Sequence, residues 1–137
     1  DVFEIAAAQA GLLREAVVAA PFHDLRLLLS DPRVRMEAAD GRQALQRTGA
    51  RYDLIQIDAV HRTSAGSGNL YSLEFFRLCA GRLKPGGIVC SQKPGRRVGL
   101  TFAEAFPHAL DFGNFIVRSN DPLPIDTAAW DVRLGSG

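Results

Sequence analysis

Three stretches decide the fold: YDLIQID at 52–58, LYSLEFFRLCAGRL at 70–83 and IVCSQ at 88–92. The first and last are short, apolar and rich in β-favouring residues, which reads as two buried strands. The segment between them places Leu73, Phe76, Leu78 and Leu83 among its apolar positions, as a helix does. Lys84-Pro85-Gly86-Gly87 stops that helix before the second strand begins. A strand, a helix and a strand in that order imply parallel pairing through a right-handed crossover.

Working outward, Val2 to Ile5 reads as a short buried strand. Ala6 to Ala20 reads as an Ala-rich helix ended by Pro21. Asp24 to Leu29 adds a helical turn, and Ser30-Asp31-Pro32 marks a chain reversal. Val34 to Ala38 alternates like a strand. Arg42 to Thr48 is a short helix, with Gly49 as its cap. Ala59 to Asn69 reads as a loop, and Lys93 to Gly99 as a basic, Gly-rich, mobile segment. Thr101 to Phe106 is a brief helix. Ala109 to Phe112 and Phe115 to Ser119 are the last strands, and Thr127 to Leu134 is the final helix. The expected architecture is an α/β, Rossmann-like, mostly parallel sheet with flanking helices. Residues 1–137 are read as one partial domain.

The 137 residues are 47% hydrophobic and 23% charged, with a net charge of +1. That balance offers no long-range attraction for nucleic acid or an anionic membrane. No apolar run approaches the roughly 20 residues that span a bilayer. The expectation is a cytoplasmic protein with no nucleic-acid partner. Cys79 and Cys90, the only cysteines, have no zinc-site spacing and read as small hydrophobes. His23 and His108 have no partner at ligand spacing. No metal is expected.

In a parallel sheet, ligands bind outside the carboxyl ends of the strands. Three acids fall at such ends: Glu4 near the end of the first strand, Asp40 beyond the second and Asp58 at the end of the third. A carboxylate there can accept hydrogen bonds from ribose hydroxyls or an adenine amino group, or take a proton from an amine. Asp40 could equally cap the helix that follows it. Arg62, Arg96 and Arg97 can contact a carboxylate or phosphate, although their loop positions favour solvated charges.

Several segments carry a family resemblance. DPRVRMEAADGRQAL at 31–45 and YDLIQID at 52–58 look like the third- and fourth-strand regions of spermidine synthases. NLYSLEFF at 69–76 resembles that family's Leu-Tyr-Ser-x-Glu-Phe-Tyr helix start, its most specific element. RLKPGGIV at 82–89 is similar to a run widespread in class I methyltransferase folds, and TFAEAFP at 101–107 resembles a later family segment. The resemblance implies that Glu4 binds ribose hydroxyls, that Asp40 with Gly41 lies near the adenine, and that Asp58 is the catalytic aspartate. His61 and Tyr71 fall where the family contacts its acceptor. The implied reaction is aminopropyl transfer from decarboxylated S-adenosylmethionine to a small-molecule amine. An alkylammonium has a pKa of about 10.4 and no lone pair at neutral pH, so Asp58 would orient the amine and help remove its proton.

The chain also departs from the family. It starts at what should be the second strand, so the first strand and its Gly-rich loop are expected to be absent and the chain to be part of a larger one. The loop after Asp58 reads DAVHRTSAG, with His61 where the family carries a second acid and Arg62 beside it. That exchange disfavours a dicationic acceptor. The family's N-terminal β-hairpin domain, which supports its oligomers, is not read in residues 1–137, and the resemblance implies a homo-oligomer only where that domain is carried. Two further readings stand beside the first: an S-adenosylmethionine-dependent methyltransferase with an unknown acceptor, and a non-catalytic binding module.

Overall fold

The computed structural model describes residues 2–3, 15, 27, 30–57, 67–92 and 95–135. It divides into two units, Asp1–Gly49 and Ala50–Gly137. The readings of Glu4–Ile5, of the Ala6–Ala20 helix apart from Glu15, and of the loop over 59–66 lie outside the described residues.

In the first unit, β1 (Val2–Phe3) pairs in parallel with β2 (Met36–Glu37), Val2 opposite Met36 and Phe3 opposite Glu37. The strand expected over Val34–Ala38 is thus paired at only two residues. The turn before it is real: Val34 N–H donates to the Asp31 carbonyl at 2.9 Å. The Asp31 carboxylate accepts from Arg33 N–H at 2.8 Å and pairs with its guanidinium. Helix α1 (Gly41–Arg47) follows. Its end corrects the sequence reading, because Thr48 is the cap, in extended conformation, and its N–H donates to the Ala44 carbonyl. Gly49 takes no left-handed conformation; only Gly86 and Gly113 do among the described residues.

The second unit holds β3 (Tyr52–Ile57), α2 (Ser67–Leu70), α3 (Leu73–Gly81), β4 (Leu83–Gln92), α4 (Arg96–Ala105), β5 (His108–Asp111), β6 (Phe115–Ser119) and α5 (Thr127–Leu134). The strands lie in the order β3-β4-β6-β5. β3 and β4 are parallel, and β6 is antiparallel to both β4 and β5. It follows that β3, β4 and β5 run the same way and β6 alone is reversed, so the sheet is mostly parallel, as expected. The reversal has a local cause. Only Phe112–Asn114 separate β5 from β6, too few residues for a parallel crossover, so the chain must turn back as a hairpin. Gly113 supplies the positive φ of 76° in that turn, and its N–H donates to Asp111 Oδ1 at 2.9 Å.

Side chains alternate across the sheet with a period of two. Ile57, Val89, Ser91 and Ile116 share one face in register and are buried. Phe75, Phe76 and Cys79 of α3 are buried with Phe102 of α4 and Phe106 just after it. Phe76 stacks on Phe102, and Phe106 meets Phe102 edge-on at 5.2 Å. The guanidinium of Arg118, on that same face of β6, lies 5.9 Å from the Phe102 ring centroid, so α4 covers this side. Helix α4 also corrects the reading of Lys93–Gly99 as mobile: Arg96–Gly99 form its first turn. It ends at Ala105 because Phe106, preceding Pro107, is extended. Likewise α2 occupies Ser67–Leu70, part of which reads as loop from its glycines.

The KPGG stretch does more than end a helix. Tyr52 pairs with Leu83 and Leu54 with Ile88, so Lys84 to Gly87 bulge out opposite Asp53. Lys84 Nζ reaches Asp53 Oδ2 at 2.7 Å across the bulge. Gly86 has φ 72°, and its N–H donates to Asp121 Oδ2 at 2.6 Å. The buried Ser119 hydroxyl donates to the Gly87 carbonyl at 2.8 Å. Cys79 is buried and Cys90 half-buried, and neither is in a disulfide.

Candidate active site

The carboxyl ends of β3, β4 and β5 share one rim because these strands are co-directional. Ile57, Gln92 and Asp111 are the last residues of these strands. Asp58 follows Ile57 directly in the sequence, and Glu4 follows Phe3, the last residue of β1. Glu4, Asp58 and His61 lie outside the described residues.

Asp40 is described, and it caps α1. Its Oδ1 accepts from Arg42 N–H at 2.8 Å and from Gln43 N–H at 3.2 Å. Both bonds fall on one oxygen. A carboxylate offers about four lone-pair directions, so Oδ2 can still accept from a ligand. Asp40 is half-buried, and Gly41 opens the helix beside it. The cap and the ligand role are therefore compatible at this residue, and the chemistry of its remaining oxygen fits a nucleoside donor group.

Tyr71 belongs to the second unit, between α2 and α3, and is 9% exposed. Its neighbour Ser72 caps α3: Oγ accepts from Phe75 N–H at 3.2 Å and donates to the Asn69 carbonyl at 3.4 Å. Glu74 sits in the first turn, where a negative charge is favoured. Phe75 and Phe76 enter the core. Much of the LYSLEFF motif thus builds the start of α3. Of the six candidate residues, Asp40 and Gly41 are adjacent in the first unit and Tyr71 stands in the second.

Sequence reasoning missed Arg118. It follows the apolar run Phe115-Ile116-Val117 in FIVRS, on the covered face of the sheet. A charge at the end of such a run was the signal available. Among the described residues no three His, Cys, Asp or Glu side chains form a group that could hold a metal ion. No described helix is long and apolar enough to cross a membrane.

The sheet with one reversed strand, and with helices on its covered face, defines an α/β domain of the methyltransferase-like class. Its fold matches a crystal structure of spermidine synthase in complex with the transition state analogue AdoDATO. That match has a TM-score of 0.73 and 18% identity, over 90% of this chain and 47% of that one. The Spermine/spermidine synthase domain model matches residues 16–104, and the chain belongs to that family. It is 39% identical over 82 residues to polyamine aminopropyltransferase 2 of Pseudomonas aeruginosa, covering 58% of this chain and 22% of that protein. It is 36% identical over 64 residues to polyamine aminopropyltransferase 2 of Hyperthermus butylicus, covering 46% and 21% respectively. The chain therefore spans about a fifth of the length of these curated relatives.

Proposed function

We propose that this domain serves aminopropyl transfer from decarboxylated S-adenosylmethionine to a small-molecule amine, with Asp58 as the residue that orients and deprotonates the acceptor. The observation that carries the reading is the family match over residues 16–104, which includes Asp40, Asp58 and the LYSLEFF segment. Glu4 and Asp58 each follow the last described residue of a parallel strand, and Asp40 lies just beyond another. That is where open α/β sheets bind ligands.

When bound, the donor supplies a sulfonium whose neighbouring carbon is electrophilic and whose thioether leaves readily. The chain's own residues hold and time the attack. Glu4 would accept from the ribose hydroxyls, and Asp40, through Oδ2, would accept from the base with Gly41 beside it. Asp58 accepts an N–H of the acceptor, aims its nitrogen and takes the proton as the new bond forms. Tyr71 and His61 bound the acceptor. This reading places the protein in the cytoplasm.

The test is Asp58→Asn in the whole protein, with decarboxylated S-adenosylmethionine and a panel of amines. Turnover falls by about 10²–10⁴, the range of general base catalysis, while donor binding by calorimetry is retained. Unchanged turnover removes Asp58 from the role. His61 in place of the family's second acid, with Arg62 beside it, favours one second reading, methyl transfer from S-adenosylmethionine. A methyl adduct without an aminopropyl adduct in the product mass spectrum selects it.

A further inference from the structure

The two halves of α4 are held very differently. In the second half Phe102 has no exposed surface and stacks on Phe76, and Phe106, just past the helix end, is also buried. The first half has no such anchor. Leu100 is 61% exposed, and Gly95, Arg96, Gly99 and Leu100 line an open hollow of about 400 Å³ instead of a packed wall. A short helix draws most of its stability from packing, so this half lacks its main support.

Local bonding weakens it further. Gly95 caps the helix without a side-chain hydrogen bond, and the first turn holds no acid. Arg96 and Arg97 stand there instead, at the end of a helix where positive charge is disfavoured. No ion pair with a described residue offsets them. The first rung of the helix, from Gly99 N–H to the Gly95 carbonyl, is 3.2 Å long, at the far end of the usual range. Gly99 is itself a poor helix former. The Thr101 hydroxyl donates to the Arg97 carbonyl at 3.0 Å, a back-bond that bends and loosens helices.

We propose that the first turn of α4, Arg96–Gly99, is a lid that unwinds about Gly99 while the helix beyond it stays formed. The turn is helical, so the open form is the minor one. Glycine's freedom in φ and ψ suits residue 99 to the hinge. The lid borders the place where an open α/β sheet takes its ligands. Arg96 follows Gln92 by four residues, and Gln92 ends β4 on the rim shared with β3. Lids are drawn from the least stable parts of a fold, and this turn is built as one. Closure over an occupied rim rests on the transfer reading; the opening itself does not.

Hydrogen exchange of the full chain, followed amide by amide by NMR, tests the opening. A helical N–H bonds the carbonyl four residues back, so Gly99, Leu100 and Thr101 lose their acceptors when the turn unwinds, whereas Ala103, Glu104 and Ala105 keep theirs. Relative to their intrinsic rates, the first three should exchange at least about tenfold faster than the last three. Gly99→Ala should slow the first three about fivefold, the effect of replacing glycine within a helix. Arg97→Glu should slow them about three- to tenfold, because a disfavoured charge becomes a favoured one. Uniform protection from Gly99 to Ala105 overturns the proposal, and so do unchanged rates in both variants. A second arm adds methylthioadenosine to the whole protein, with calorimetry alongside. Bound nucleoside should slow the same three amides in proportion to occupancy, and binding that leaves them unchanged overturns the lid. Absence of binding counts against the transfer reading, and the ligand-free rates then decide the opening alone.

Discussion

Phe76 of α3 and Phe102 of α4 stack with ring centroids 4.2 Å apart and planes inclined by 30°, and neither ring is exposed. This pair joins the helix before β4 to the helix after it. Both crossovers are therefore pinned to the same face of the sheet by one contact.

Truncation of either ring should cost about 3–5 kcal/mol, the usual loss for a buried Phe→Ala change. Domains of this kind are stable by only about 5–15 kcal/mol, so each variant loses a large share of its stability. Because the rings touch, the two losses should not add. A stacked aromatic pair carries about 0.5–1.5 kcal/mol beyond its area, and Phe76→Ala with Phe102→Ala should fall short of the sum by that amount. Urea denaturation of the two single variants and the double variant measures it; strict additivity would mean the stack contributes only burial.

Gly86 and Gly87 are needed for different reasons, and substitution separates them. Gly86 has φ 72° with open space where a Cβ would go. Alanine there costs about 1–2 kcal/mol for the left-handed backbone, and asparagine less, because its side chain tolerates that region. Gly87 has an ordinary backbone, but a Cβ would sit 2.9 Å from both the Lys84 and the Tyr52 carbonyl oxygens. Neither oxygen can yield without opening the bulge, so Gly87→Ala should be the more damaging and asparagine no remedy. Thermal melts of Gly86→Ala, Gly86→Asn and Gly87→Ala test the ranking.

Across the same bulge, the Lys84 ammonium holds the Asp53 carboxyl below the usual carboxylate range, chiefly through their hydrogen bond. The folded pKa is the lower one. The stabilising contribution is therefore present above the unfolded value of about 3.9 and is lost as pH falls through the folded value. Both side chains are exposed, so the effect on stability is small. The clean readout is carbon-13 NMR of the Asp53 carboxyl, whose midpoint should rise toward the ordinary value in Lys84→Met. An unmoved midpoint would show that the contact does not persist in solution.

Much of the fold was legible because local signals and tertiary packing agree. FIVRS at 115–119 and TAAWDVRL at 127–134 take the elements their patterns predict, with the same bounds. Arg96–Gly99 did not, because two arginines and a nearby glycine pair suggest mobility. Short helices gain most of their stability from packing, and Phe102 anchors this one. Of the acids read at strand ends, Asp40 alone lies among the described residues, and its position before an apolar-patterned helix made its capping role legible. The pairing of Asp111 with the Arg118 side of the sheet was not. It depends on the hairpin register, which sets Ala109 opposite Arg118 and Asp111 opposite Ile116. No spacing in the chain reveals that register in advance.

Asp40 offers the sharpest test of how far one acid can serve both the fold and a ligand. Its Oδ1 holds the first turn of α1 through Arg42 and Gln43. Asp40→Ala removes the cap and should cost about 1 kcal/mol. Asparagine caps helices about as well as aspartate, so Asp40→Asn should keep that stability. The two variants diverge in what Oδ2 does. If that oxygen accepts from an adenine amino group, the amide can still accept through its own oxygen only by giving up the cap. Asp40→Asn should then bind the nucleoside donor about tenfold more weakly while melting at the temperature of the unmodified chain. Calorimetry with methylthioadenosine, paired with a melt of each variant, separates the outcomes. Full affinity in Asp40→Asn would reduce Asp40 to a helix cap and leave the nucleoside contacts to Glu4 and Gly41.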